Sequence, residues 1–122
     1  MILDKARSPD IDLSRAAGAN LVEALLSEKC KNAKHVPETA ILGIEPVCST
    51  WSQARGGGGG PPKVRSRRHL YGLPGLRPWD RAKVLEENRQ VRHAVRHIRT
   101  CLRLGIPGYL EQPRSSLMLH TR

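Results

Sequence analysis

The sequence contains very few aromatic residues. Phenylalanine is absent, tryptophan and tyrosine occur twice each, and the three types together make up 3% of the 122 residues. Because large aromatic side chains supply much of the apolar area that a small core buries, the core of this protein must be thin. The length limits the chain to one small domain or to a piece of a larger one.

Paired cysteines and long apolar runs are also missing. Cys30, Cys48 and Cys101 are widely spaced without a CxxC pair, which favours neither a disulfide framework nor a zinc site and is typical of a reducing compartment. No apolar run approaches the ~20 residues of a membrane span, and residues 1–5 lack the apolar core of a signal peptide. We therefore expect an intracellular protein without membrane contact, nuclear if it binds DNA.

Acidic residues are scarce relative to basic ones. The sequence has 11 Asp and Glu residues and 21 Lys and Arg residues, so the formal net charge is +10 and the pI is near 10.4. This excess favours polyanionic partners, nucleic acid ahead of a membrane surface and DNA ahead of RNA. The candidate phosphate contacts are Arg55, Lys63, Arg65, Arg67, Arg68, Arg89, Arg92, Arg96, Arg99 and Arg103. For the last five, which repeat along a predicted helix, the alternative is an ordinary solvated helix face.

Apolar residues at helical spacing predict two helices. The first begins at Asp12 or Ser14, with Asp12 as its N-cap, and ends at Cys30. The second begins at Pro78, which suits a first helical turn, and stops before Gly105. The apolar stripes comprise Leu13, Ala16, Ala17, Leu21, Ala24 and Leu25 in the first helix and Val84, Val91, Ala94, Val95, Ile98, Cys101 and Leu102 in the second.

Short apolar runs predict strands between these helices. One runs from Ile41 into Cys48, another from Ile106 to Glu111, and residues 1–12 open like the end of a third. The alternation of strands and helices favours an α/β fold with a parallel sheet. We therefore expect a partial, incomplete Rossmann-like sheet of about three short parallel strands with two helices.

Five consecutive glycines, residues 56–60, begin a Gly/Pro-rich basic stretch that continues to residue 77. A glycine run holds a fixed conformation only at a high entropic cost, so we expect a flexible, positively charged loop over 56–77. This loop separates residues 1–55 from residues 78–122, which end in a short polar tail. Both parts belong to the same partial domain.

Each of the two predicted strands leads to a residue whose side chain can take part in a reaction. Cys48 follows the first strand and Glu111 ends the second. Since the carboxyl ends of parallel strands share one edge of a sheet, where ligands bind in open α/β folds, a thiol and a carboxylate are expected together there.

These two strand ends resemble motifs of cytosine-5 DNA methyltransferases. Cys48, followed by two residues and then Trp51 and Ser52, is similar to the cysteine loop of that family. The sequence 111–113, Glu-Gln-Pro, resembles more weakly its Glu-Asn-Val motif, and Val47 stands where the family has proline. The wider frame over 41–119 is similar to divergent methyltransferase-like segments of retroelement-type reading frames.

The resemblance implies a fold, a cofactor and roles for particular residues. The fold would be a partial methyltransferase sheet and the cofactor S-adenosylmethionine, with Asp4 and Asp12 similar to the acids that contact it. Cys48 would be the nucleophile and Glu111 the group that braces or protonates a flipped cytosine. The residues expected to support the loop are Pro46, Trp51, Ser52 and Pro113. The family's glycine-rich cofactor segment is expected upstream of residue 1, so we expect a fragment that is inactive alone.

A second class of function fits the charge without any catalysis. A nonenzymatic nucleic-acid-binding protein would use the glycine-rich basic stretch and the arginines of the long helix to follow phosphates. A decayed mobile-element remnant is a further alternative. No metal site is indicated by the spacing of histidines, cysteines and acids.

Overall fold

The computed structural model describes residues 15–32 and 42–121, with side chains for 15–28 and 42–121. In chain order the elements are helix α1 (Ala16–Asn32), strand β1 (Leu42–Ile44), helix α2 (Pro78–Leu104), strand β2 (Gly108–Leu110) and a 3-10 helix (Leu117–His120). They form a small mixed α/β unit. Neither of its two α-helices has the length and apolar character that crossing a membrane requires.

The sheet of the described residues consists of β1 and β2 paired in parallel. Leu42 lies opposite Gly108 and Ile44 opposite Leu110, which confirms the predicted parallel pairing. Both strands are shorter than predicted, because prolines at positions 46 and 107 lack the N–H that a longer ladder needs. The predicted third strand lies outside the described residues.

Helix α2 has the predicted bounds, but its buried face differs from the predicted stripe. Val95 is 40% exposed and Leu102 is 75% exposed, so two members of that stripe face solvent. The polar residues that take their place on the buried face are Glu87, Asn88, His97 and Thr100. Each of these side chains makes at least one hydrogen bond, as described below, although His97 Nε2 has no partner among the described residues.

Helix α1 also turns a different face inward from the one predicted. Ala19, Val22 and Leu26 are buried, whereas Ala16, Ala17, Leu21 and Ala24 are exposed. Val22 and Leu26 pack against Cys101 and Ile106. This rotation brings Glu23, one residue after Val22, toward polar groups of α2. The predicted N-cap, Asp12, lies outside the described residues.

A second apolar cluster joins the loop after β1, the middle of α2 and the C-terminal 3-10 helix. Trp51 packs there with Val91, Leu117 and Met118. The backbone N–H of Leu117 donates to the Trp51 carbonyl at 2.9 Å. The prediction of a polar tail was therefore wrong, because two apolar residues of the last ten complete this cluster.

The Gly/Pro-rich stretch is folded back on itself instead of forming an open loop. Arg55 Nε donates to the Pro62 carbonyl at 2.8 Å, which closes the glycine run into successive turns. Gly56, with φ of +88°, occupies a left-handed conformation that a β-carbon disfavours. Further along, Val64 is buried and its carbonyl accepts from Leu73 N at 2.9 Å. The expected mobile loop is thus anchored at both ends.

Candidate functional site

Cys48 lies in a tight turn just beyond the end of β1. Its carbonyl accepts hydrogen bonds from the backbone N–H groups of Trp51, at 3.0 Å, and Ser52, at 2.9 Å. Its side chain is a free, half-buried thiol. The thiol therefore lies in the turn that follows β1.

The Cys48 turn is held by one carboxylate of α2. Glu87 is 2% exposed and accepts from Ser49 Oγ at 2.6 Å, from the Thr50 backbone N–H at 2.9 Å and from the Thr50 hydroxyl. One helical turn further on, Gln90 Oε1 accepts from Val47 N at 3.3 Å. Helix α2 thus fixes the backbone on both sides of Cys48.

Arg65 is the second buried charge of this region. Its five N–H groups donate to Thr50 Oγ1 twice, to the carbonyls of Leu70 and Val84, and to Asn88 Oδ1, at 2.7–3.2 Å. Its guanidinium carbon lies 3.5 Å from the centroid of the Trp51 ring. Burial lowers the pKa of Arg65 to about 10, although the negative charge of Glu87 opposes that shift. We name Glu87, Arg65, Thr50, Asn88 and Trp51 the Glu87–Arg65 centre.

The prediction that Arg65 contacts a phosphate was wrong. The side chain is 3% exposed and every N–H that it can donate is already used inside the protein. The residue stands in a basic run, and the run alone does not distinguish an internal arginine from its exposed neighbours.

The end of β2 lies beside the loop that follows β1. The Glu111 backbone N–H donates to the Ile44 carbonyl at 3.0 Å, and the Glu111 side chain is exposed. Gln112 Nε2 donates to the Pro46 carbonyl at 2.5 Å, while its Oε1 accepts from Ser116 Oγ at 3.1 Å. The two strand ends are thereby tied together.

The four residues expected to support the Cys48 loop have different positions. Pro46 accepts the Gln112 bond, Trp51 is fully buried, and Ser52 donates its N–H to Cys48. Pro113 is exposed and accepts from Ser116 N at 2.8 Å. Pro46 therefore lies at the joined strand ends, whereas Trp51 belongs to the second apolar cluster.

The remaining candidate phosphate contacts differ in exposure and in their ion pairs. Arg55 is largely buried and forms an ion pair of 3.4 Å with Asp80, which also accepts a hydrogen bond from Arg77 at 2.7 Å. Contrary to the prediction, Arg55 therefore stabilises the fold instead of contacting a phosphate. Arg96 and Arg103 are exposed but lie within 3.6 and 3.8 Å of the Glu23 carboxylate. The other exposed members are Lys63, Arg67, Arg68, Arg89, Arg92 and Arg99.

A polar contact links α1 and α2. Glu23 accepts a hydrogen bond from the Thr100 hydroxyl and lies 2.9 Å from His97 Nδ1. Burial lowers the pKa of His97, although the Glu23 hydrogen bond and charge oppose this. Burial acts to raise the pKa of Glu23, but the hydrogen bonds from Thr100 and His97 and the nearby positive charges outweigh it and lower that pKa overall.

These pKa directions predict that acid loosens the contact between the helices. The unfolded chain takes up a proton at His97 near pH 6.5, whereas the folded protein resists it, so stability should fall as the pH drops below about 6.5. The Glu23 contribution is lost in turn as the pH falls through its lowered folded pKa. Urea unfolding followed by far-UV circular dichroism at pH 7.5, 6.0 and 5.0 measures the His97 contribution, and a further point below pH 4.5 adds that of Glu23.

The control for that experiment is a substitution at another histidine. His93, Arg96 and Glu23 act on the charge of His97. His97→Gln should flatten the dependence between pH 7.5 and 6.0, whereas replacing the exposed His120 by Gln should leave it unchanged. A wild-type stability that is constant or rises from pH 7.5 to 5.0 contradicts the assignment.

Sequence reasoning missed the residues that position the candidate thiol. Glu87 and Asn88 lie three and four residues after Val84 and four and three residues before Val91, so they occupy the inward helix face. Polar residues at apolar-stripe positions are a signal of buried hydrogen bonding.

The comparisons with known proteins add no family. No family model matches the chain, and neither a curated protein nor a solved structure shows significant similarity to it.

The candidate cofactor contacts Asp4 and Asp12 lie outside the described residues. Within residues 15–28 and 42–121, no three His, Cys, Asp or Glu side chains are grouped as metal ligands would be.

Proposed function

We propose that the chain is a cytosine-5 DNA methyltransferase-like segment, part of a Rossmann-like sheet, which is inactive alone in methyl transfer but retains the step that needs no cofactor, the activation of cytosine at carbon 5. The observation that carries the proposal is the parallel pairing of β1 and β2. It gives the Cys48 turn and Glu111 a common edge, and Gln112 ties the two strand ends together. The resemblance of both strand ends to motifs of that family supplies the chemistry.

The proposed step requires a thiolate and a proton donor. The Cys48 thiol first loses its proton to water, and its Sγ then bonds to C6 of an extruded cytosine. The C5–C6 π electrons shift toward N3, which takes a proton from Glu111. Carbon 5 of this enamine is nucleophilic and can take a proton from water. Loss of the original C5 hydrogen as a proton, return of the N3 proton and departure of the thiolate restore the ring.

S-adenosylmethionine would supply an electrophilic methyl group to the same carbon in a complete enzyme. The candidate contacts to that cofactor, Asp4 and Asp12, lie outside the described residues, and the basic cavity described below is lined by cations that do not suit a sulfonium ion. No methyl-transfer step is therefore assigned to these residues.

Exchange of the C5 hydrogen tests the proposal without the cofactor. We expect the chain to release tritium from DNA that contains [5-³H]cytosine, and Cys48→Ser to reduce release to the uncatalysed level. Glu111→Gln should slow release about 100-fold, since general acid catalysis contributes on this order. Ser115→Ala, an exposed change near the same edge, should retain the rate. Absence of release by the wild-type chain contradicts the proposed chemistry.

Noncatalytic binding of nucleic acid is the second candidate function. The exposed cations Lys63, Arg67 and Arg68 on one segment, and Arg92 and Arg99 on α2, favour it. This function predicts DNA affinity that decreases steeply with salt and is unchanged by Cys48→Ala. It fails if the wild-type chain does not bind DNA at low salt.

A further inference from the structure

A basic cavity lies between the residues that follow the Cys48 turn and the segment 63–67. Its volume is about 200 Å³, and its lining includes Ser52, Arg55, Lys63, Arg65 and Arg67. Ser52 is also the residue whose N–H closes the Cys48 turn. The cavity is therefore continuous with the loop that holds the candidate thiol.

The lining of this cavity is positive and contains no carboxylate among the described residues. Asp80, shared between Arg55 and Arg77, and Glu87, which acts on the buried Arg65, offset part of the charge of Arg55 and Arg65, so the uncompensated positive charge of the lining comes mainly from Lys63 and Arg67. Charge of one sign around a low-dielectric concavity raises the local concentration of anions.

Two cations at the cavity remain available for a ligand. Lys63 and Arg67 are exposed, and neither forms an ion pair with any residue in 15–28 or 42–121. Arg65, whose donors are all used, can contribute only its charge. Direct contacts to an anion would therefore come from the Lys63 ammonium and the Arg67 guanidinium.

The glycine run places Lys63 against the rim of the cavity. A β-carbon on Gly56 would lie 2.7 Å from Lys63 Cγ, so the lysine stem passes directly over the Gly56 backbone. The closure of this turn by Arg55 fixes the backbone just before Lys63. The ammonium group is thus attached to an anchored stem.

We propose that this cavity binds a phosphodiester of a nucleic-acid strand, with Lys63 and Arg67 as its direct contacts. A phosphate has the charge and oxygen acceptors that these donors suit, and the adjoining Cys48 turn would place the phosphate close to the nucleotide that meets the thiol. The inference rests on the proposed binding of nucleic acid but is independent of catalysis at Cys48.

Anisotropy of a fluorescein-labelled 12-nucleotide single strand, at low salt with the full chain, tests the site. Lys63→Gln and Arg67→Gln should each raise Kd about tenfold and reduce the slope of log K against log salt by about one. Arg68→Gln is the matched control, because Arg68 is exposed beside Arg67 but does not line the cavity. Its Kd should change less than about twofold.

The possible outcomes separate this site from the proposed functions. Equal losses in all three variants would overturn the cavity as the site while leaving general DNA binding intact. Calorimetry with inorganic phosphate is the second measurement. If phosphate binds and the oligonucleotide does not, and if Arg67→Gln abolishes the binding of phosphate, the cavity is a site for a free anion. That result would overturn the proposal of a nucleic-acid strand. If Arg67→Gln still releases tritium but with a raised KM, the result supports both the cavity and the proposed chemistry. If the wild-type chain binds the oligonucleotide but releases no tritium, only the proposed chemistry is overturned.

Discussion

Replacing Glu87 by alanine should lower the free energy of unfolding by about 3–5 kcal/mol, the usual cost of leaving a buried charge without its partner. Arg65 would remain 3% exposed with its positive charge unopposed, and the donors of Ser49 and Thr50 would lose their acceptor. Urea unfolding followed by circular dichroism at 222 nm measures the change. A loss of this size is comparable to the whole stability of a small domain.

Two further variants distinguish the charge pair from general helix damage. Glu86→Ala removes the neighbouring carboxylate, which has no hydrogen bond or ion pair with the Glu87–Arg65 centre, and should cost less than about 1 kcal/mol. The double variant Glu87→Leu with Arg65→Met removes both charges and should be more stable than Glu87→Ala alone. If Glu86→Ala and Glu87→Ala cost the same, the buried pair is not a main support of the fold.

The same substitution links stability to the candidate chemistry. Glu87 contacts Ser49 and Thr50, immediately after the thiol, so its loss should also disorder the Cys48 turn. Glu87 is therefore a positioning residue in the proposed function. In variants that remain folded, tritium release should fall while the affinity for DNA, which depends on exposed cations, stays unchanged.

The helices and the strand pairing could be predicted from the sequence because local signals determine them. Pro78 and Gly105 mark the ends of α2 through their backbone preferences, and the left-handed Gly105, with φ of 68°, confirms the second signal. The parallel pairing followed from the alternation of elements. These signals act over a few residues and need no knowledge of the partner.

The interior could not be predicted to the same depth, because polar burial depends on distant partners. Arg65 and Arg67 look alike in the sequence, yet only Arg65 meets the Thr50 hydroxyl and the Asn88 side chain, 15 and 23 residues away along the chain. Likewise, the inward face of α1 packs Val22 and Leu26 against Cys101 and places Glu23 beside His97, 74 residues later. Helical periodicity in one segment contains no information about such contacts.

Trp51→Ala should cost about 3–5 kcal/mol, the range for truncating a large buried aromatic side chain. Trp51 is 0% exposed and connects three parts of the molecule: Val91 on α2, the 3-10 helix through Leu117 and Met118, and the Arg65 guanidinium that stacks on its ring. With so few aromatic residues in the chain, no neighbouring ring can fill the space that alanine leaves. The unfolding curve in urea, followed by circular dichroism, should shift to a lower midpoint.

The other tryptophan is a matched control for this prediction. Trp79 is 63% exposed, and the Arg77 guanidinium carbon lies 4.8 Å from the centroid of its ring, so Trp79→Ala should cost less than about 1 kcal/mol. Trp51→Phe keeps a ring beneath Arg65 and removes an indole N–H that is buried without an acceptor among the described residues, so it should be clearly more stable than Trp51→Ala. Equal costs for Trp51→Ala and Trp79→Ala would mean that Trp51 does not join the C-terminal residues to the Cys48 turn, and the stability of that turn would then depend on Glu87 and Gln90 alone among the contacts described above.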